Sequence, residues 1–305
     1  MNKKIKPKIV WFQALTCNGN THSLLSANSK RLELFYDYFD LIYHPSLTID
    51  LTLDDILNEN IQFDYLLVEG AITNNKTFLS MSDKSSKYLL NKLSKNSKYL
   101  IAVGSCASYG GIHKKFEENS DINGIEDFLS NTIINNLKHK VINLTGCPVH
   151  PEWIFQTLFS LEHFGKIDLD KENRPIELYS NLAHHGCTRN EYFEWKVEGN
   201  LGQKEGCLFY DQGCRGPMTH SSCNKILWND VSSKTRAGMP CIGCTEKDFP
   251  RDNMFETQKN IGIPAEVPLG VPKRAYLSIT TVAKTFSIPR LNSKLINKED
   301  EDENS

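Results

Sequence analysis

The chain has 305 residues, 39% of them hydrophobic and 24% charged, with a formal net charge of −2. These values suit a soluble globular protein of one large or two ordinary domains. The charge balance argues against a nucleic-acid-binding surface, and no apolar run is long enough to cross a bilayer. The basic start at Met1–Lys4 leads into Ile9-Val10-Trp11-Phe12, which is too short for a signal-peptide core, and there is no twin-arginine pair. The expected compartment is therefore the cytoplasm, with membrane association only through a partner.

The first half alternates between two patterns. Ile9–Phe12, Tyr65–Val68, Tyr99–Val103 and, more weakly, Val141–Leu144 are short apolar runs bounded by turn residues, as in strands buried on both faces. The stretch from Leu34-Phe35 to Ile42-Tyr43 reads as a further strand. Helical spacing falls between these runs. Leu89 and Leu93 follow a cap expected at Asp83. Leu129, Ile133 and Leu137 repeat at four, and Ile154, Leu158 and Leu161 follow Pro151 in a first helical turn. Such alternation implies an α/β fold with a parallel, flavodoxin-like sheet over residues 1–165. Beyond about residue 165 the periodicity fades, and Gly, Cys, Asn and Pro become frequent. An irregular stretch this long needs another source of order, which bound metal clusters would supply. The expected division is therefore an irregular, cysteine-rich iron–sulfur domain at 166–260, then a C-terminal extension at 261–305 whose acidic tail, Lys298–Ser305, should be disordered.

Nine cysteines is an odd count. Without an export signal it points to thiolate ligands rather than to a disulfide framework. Cys17, Cys106 and Cys147 each follow an expected strand, and Glu69-Gly70 follows another. In a parallel sheet these loops gather at the carboxyl edge, where such folds bind ligands. Glycines beside the three cysteines allow close backbone approach and leave N–H groups free to face cluster sulfurs. Unrelated buried cysteines would scatter at random and would not share these contexts. A second group is His184, Cys187, Cys207 and Cys214, a Cys₃His set able to hold zinc or an iron–sulfur cluster, with His185 competing for the histidine role. A third group is Cys223 with Cys241-Ile242-Gly243-Cys244. Three thiolates suit a three-iron cluster better than structural zinc, which wants a fourth ligand.

From Lys8 to about Pro250 the chain resembles the small subunit of [NiFe] hydrogenases. The matching segments are Trp11-Phe12-Gln13 through Cys17-Asn18-Gly19, then Val68-Glu69-Gly70, Gly104-Ser105-Cys106-Ala107 and Gly146-Cys147-Pro148. They continue with His184-x-x-Cys187, Cys207-Leu208, Gly213-Cys214-Arg215-Gly216-Pro217 and Pro240-Cys241-Ile242-Gly243-Cys244-Thr245-Glu246. The resemblance implies an electron-transfer subunit of an oxidoreductase acting on H2, with no H2-splitting site of its own. It implies a large-subunit partner carrying the Ni-Fe centre, an acceptor such as a quinone or a redox protein, and a higher oligomer of heterodimers. It also implies three clusters. Cys17, Cys106 and Cys147 would hold a proximal 4Fe-4S or 3Fe-4S cluster. Cys223, Cys241 and Cys244 would hold a medial 3Fe-4S cluster. His184, Cys187, Cys207 and Cys214 would hold a distal 4Fe-4S cluster.

Two departures stand out. Where the family usually has a second cysteine, three residues after the first, this chain has Asn20. The proximal cluster would then take a non-cysteine fourth ligand, Asn20 being the candidate, or hold only three irons. Either way, losing one negative ligand should raise its potential. Gly19 argues against the extra-cysteine proximal cluster of some oxygen-tolerant relatives. The Cys207–Cys214 spacing is one residue longer than usual. The segment Gly270–Leu277 looks like the C-terminal extension of the cytoplasmic uptake and sensing branches. Three other readings compete: an H2-sensing regulatory subunit, the single-cluster subunit of respiratory complex I, and a structural zinc protein. The later cysteine groups argue against complex I, and the converging strand-end cysteines argue against zinc.

Overall fold

The computed structural model describes residues 5–77, 80–81, 83–116, 121–260, 263–276 and 278. Its centre is a five-stranded sheet built from β1 (Lys8–Gln13), β2 (Asp40–Tyr43), β3 (Phe63–Glu69), β4 (Ser97–Val103) and β5 (Ile142–Leu144), ordered β2-β1-β3-β4-β5. Every neighbouring pair is parallel, and Val10 faces Leu66, which in turn faces Leu100. This is the flavodoxin-type strand order, with its topological switch between β1 and β3.

Because side chains alternate along a strand, β1 feeds two cores. Ile9 and Trp11 pack with Phe35, Tyr65, Trp153 and Leu158 on one face. Val10 and Phe12 pack with Ile56, Leu66, Leu89 and Leu100 on the other. The first face is covered by α1 (Gly19–Leu25), α2 (Ser29–Tyr38) and, later in the chain, the helix that follows β5. The second is covered by α3 (Leu53–Asn58) and α4 (Ser86–Leu93). Between β4 and β5 come α5 (Ser105–Tyr109), α6 (Gly111–Phe116) and α7 (Asn131–Asn136). After β5 runs α8 (Pro151–Phe164), the longest helix, with Pro151 in its first turn and Gly165 closing it at φ 72°.

Several local expectations need correction. Leu34 and Phe35 lie in α2, not in a strand. Only Phe35 of that helix is buried, and Asn28 caps it by accepting from the Arg31 N–H. The strand begins at Asp40. The cap of α4 is Ser85, whose hydroxyl accepts from Tyr88 N–H, rather than Asp83. In the 129–137 repeat only Ile133 lies inside a helix. Ser130 starts that helix, and Leu129 and Leu137 are extended flanks.

Past α8, the described residues hold only short helical turns, among them α9 (Ile176–Tyr179) and α10 (Asn190–Glu194), and a two-residue hairpin pairing Lys259–Asn260 with Ile263–Pro264. A small core of Cys207, Phe209, Tyr210 and Tyr276 gathers there. Residues 279–305, including the tail expected to be disordered, lie outside the described residues, as does Leu277 of the extension segment.

Candidate metal-cluster sites

The carboxyl edge of the sheet brings the first three cysteines together. Cys17 sits in the loop between β1 and α1, Cys106 in the first turn of α5 directly after β4, and Cys147 in the loop between β5 and α8. Cys147 lies within electrostatic reach of both Cys106 and Cys17. Two glycines are required by these sulfurs. A Cβ on Gly19 would stand 3.2 Å from Cys17 Sγ, and one on Gly111, at φ 51°, would stand 2.8 Å from Cys106 Sγ. Burial pushes the free Cys106 thiol up to about 11 and the Cys147 thiol up to about 12, with neighbouring thiols adding to both. Such sulfurs become thiolates when a metal takes their protons.

Glu69, at the end of β3, fastens the Cys17 loop. It is fully buried. Its Oε1 accepts from the backbone N–H of Asn20 at 3.0 Å and of Thr21 at 3.3 Å, and from Thr16 Oγ1 at 3.2 Å. Its Oε2 accepts from Trp11 Nε1 at 3.0 Å, Gln13 Nε2 at 3.3 Å and Thr21 Oγ1 at 2.5 Å. His44 completes this network. Its Nδ1 accepts from Ser46 N–H at 3.0 Å, so Nε2 carries the proton and donates to Thr21 Oγ1 at 3.1 Å. Burial lowers the His44 pKa, while the Glu69 charge opposes the shift.

Both ends of the Asn20 amide are engaged with backbone. Its Oδ1 accepts from Val149 N–H at 2.9 Å, and its Nδ2 donates to Val103 O at 3.1 Å. Asn20 thus ties the end of β4 to the Cys147 loop. It fills the space over Gly104, where an added Cβ would come within 2.5 Å of Asn20 Nδ2.

The third group follows on. Cys241 is buried and lies within electrostatic reach of Cys223 and Cys244, and burial raises its pKa well above the ordinary thiol value. Cys244 also reaches Cys147 of the first group. Its carbonyl accepts from Ser105 Oγ, beside Cys106. Arg174 secures the next carbonyl, with Nη1 donating to Thr245 O at 3.0 Å. On the far side, Cys241 N–H donates to Cys214 Sγ at 3.3 Å, so the third group adjoins the second.

The second group shares one cavity. His184, Cys187, Cys207 and Cys214 all line it. Burial pushes Cys207 up to about 12 and Cys214 up to about 11, opposed by backbone N–H bonds to the sulfurs. Burial, with His185 adding to it, brings His184 down to about 4, which keeps its imidazole neutral and able to ligate. The ring packs edge-on against Phe193 at 4.4 Å. His185 is exposed and does not line the cavity. Among the described residues no three His, Cys, Asp or Glu side chains converge on a point as a single metal ion requires. The second donor set instead lines a shared cavity, which suits a multi-iron core. The soft thiolates of the three groups, with one imidazole, are the donor chemistry of iron–sulfur clusters.

Two family models and several known proteins match the chain. Residues 17–161 match the family described as NADH ubiquinone oxidoreductase, 20 Kd subunit. Residues 179–256 match the C-terminal family of NiFe/NiFeSe hydrogenase small subunits. The periplasmic [NiFe] hydrogenase small subunit 1 of Nitratidesulfovibrio vulgaris is 29% identical over 259 residues, which cover 80% of each chain. The hydrogenase-2 small chain of Escherichia coli K12 is 28% identical over 79% of this chain and 68% of its own. The structure of the Ni-Fe-Se hydrogenase from Desulfomicrobium baculatum matches with a TM-score of 0.71 and 27% identity, over 82% of this chain and 98% of that one.

Proposed function

We propose that this chain, which these combined matches support as a [NiFe] hydrogenase small subunit, relays electrons from H2 oxidation in a large-subunit partner to an acceptor through three iron–sulfur sites in a row. Its relatives are hydrogenase small subunits, parts of an oxidoreductase in which the small subunit is not the catalytic site. One observation carries the reading: the three cysteine groups follow end to end, with Cys244 O accepting from Ser105 beside Cys106, Cys244 within electrostatic reach of Cys147, and Cys241 N–H donating to Cys214 Sγ. When bound, the clusters supply one-electron storage.

The chain's own residues do the rest. Cys17, Cys106 and Cys147 offer three thiolates at the proximal site, while Asn20 serves as a clamp. Cys223, Cys241 and Cys244 offer three at the medial site, for a 3Fe-4S cluster. His184, Cys187, Cys207 and Cys214 complete a distal 4Fe-4S site. Glu69, Ser105 and Arg174 hold the ligand loops in register.

Co-expression with the large subunit tests the proposal. The purified pair should reduce an artificial acceptor dye with H2. A Cys187→Ser pair should keep H2-dependent chemistry in the large subunit but lose most dye reduction. Equal dye reduction by both pairs would refute a relay through the distal site.

A further inference from the structure

Among the residues that line the cavity of His184, Cys187, Cys207 and Cys214, one carries a fixed charge, Arg189. It is only 3% exposed. Its guanidinium donates solely to backbone carbonyls: Nε to Thr235 O at 2.8 Å, Nη1 to Glu205 O at 3.0 Å and Gly206 O at 2.6 Å, and Nη2 to Gln203 O. Its backbone N–H donates to Cys187 Sγ at 3.4 Å.

The other two largely buried arginines differ. Arg174 pairs with Asp170 and Glu246, and Arg215 pairs with Asp248 and Glu266. Among the described residues no carboxylate forms an ion pair with Arg189. Carbonyl oxygens satisfy its donors but carry no net charge, and an uncompensated buried cation is expensive. The groups able to compensate it are the thiols of the same cavity, and the Arg189 charge is felt at both Cys207 and Cys214.

We propose that Arg189 is the built-in counter-charge of the His184, Cys187, Cys207 and Cys214 site, a positioning residue that raises the site's reduction potential and fastens the 203–206 loop and Thr235 around it. The proposal rests on the reading that this site holds an iron–sulfur cluster. Three thiolates outweigh the positive charge of an oxidised four-iron core, and a reducing electron adds to the excess. A fixed buried cation therefore favours the reduced state over the oxidised one. The histidine ligand, being neutral, acts in the same direction by removing one negative charge. Both effects make the exit end of the row easier to reduce than an all-thiolate site without the arginine would be.

The test uses the complete complex with its large subunit, carrying Arg189→Gln or Arg189→Lys, with EPR-monitored redox titration and iron content as readouts. Arg189→Gln should lower the midpoint of the distal four-iron signal by at least tenfold in the reduction equilibrium, about 59 mV for a one-electron couple. Arg189→Lys should stay within that margin. Retention of the signal by Lys and its loss with Gln would equally support a need for charge. An unchanged midpoint in Arg189→Gln, equal shifts in both variants, or loss of iron from both or from Lys alone would overturn the counter-charge role. A wild-type complex with no four-iron signal removable by Cys207→Ser would overturn the site assignment, and the proposal with it.

Discussion

At the scale of single residues, the cysteines could be found by their spacing, but the groups that hold them could not. Glu69 reads in the sequence only as the acidic end of a strand. Its role emerges from six donors, four of which come from Thr16, Asn20 and Thr21, about fifty positions away. A glutamine there would turn an N–H group toward groups that must donate. Glu69→Gln should therefore lose about 3–5 kcal/mol of stability in denaturant titration. Asn20 was a candidate ligand on sequence grounds because nothing local shows that Val103 and Val149 take both ends of its amide. Asn20→Ala would orphan a buried carbonyl and a buried N–H, at about 1–3 kcal/mol each. In the wild-type complex, spin quantitation after oxidation should give about two three-iron spins per chain, since no fourth thiolate serves the proximal set. About one spin would return Asn20, or another fourth ligand, to that site.

His150 adds a pH dependence. Its Nδ1 accepts from Glu152 N–H at 3.1 Å to cap α8, and burial brings its pKa down to about 4. The unfolded chain takes up a proton near the ordinary value of about 6.5, whereas the folded chain resists it. Stability is thus complete above the unfolded value and falls as pH drops from there toward 4. Between pH 7 and pH 5 this group alone should cost about 2 kcal/mol, with His44 adding in the same direction. His150→Asn, which keeps a capping side chain without titrating, should flatten the decline. An equally steep decline in that variant would remove His150 as its source.

At the scale of elements, the four apolar runs of the first half were readable because strands buried on both faces leave no room for polar residues. Three lie within β1, β3 and β4, and the fourth, Val141–Leu144, overlaps β5, which begins one residue later at Ile142. Helix α2 was not readable. It buries only Phe35 and leaves Tyr36 and Tyr38 largely exposed, so its aromatic content mimics a strand. Cap positions were also misplaced, because several residues near a helix start can accept the first N–H groups, and tertiary packing chooses among them. The turn from β4 into α5 is the most constrained junction. Gly104 holds φ 91° against Asn20, while Gly104 N–H and Ser105 N–H donate to Leu144 O and Gly146 O. Gly104→Ala combines a disfavoured backbone with a clash. It should cost at least about 2 kcal/mol and displace Cys106. Equilibrium unfolding together with iron content would show both effects.

At the scale of the whole molecule, two kinds of order meet. The sheet has conventional cores on both faces, whereas residues past α8 rely on short turns, a four-residue core and buried arginines bonded to carbonyls. The change of character near residue 165 was visible as fading periodicity. The end-to-end adjacency of the cysteine groups was not, because it depends on contacts such as Cys241 N–H with Cys214 Sγ and Ser105 Oγ with Cys244 O. Iron removal by a chelator should therefore expose sites after residue 165 to limited proteolysis, while fragments spanning the sheet persist. Uniform digestion of the whole chain would contradict this division of stability.

The most direct measurement is EPR spectroscopy with metal analysis on the complex of this chain and its large subunit, first oxidised and then reduced under H2. The oxidised sample should show a three-iron signal of about two spins per chain, of which Cys223→Ser removes about one, and H2 should replace it with reduced-cluster signals, including a four-iron signal that Cys207→Ser removes. A complex that contains zinc in place of iron, or whose signals do not respond to H2, would contradict the electron-relay account.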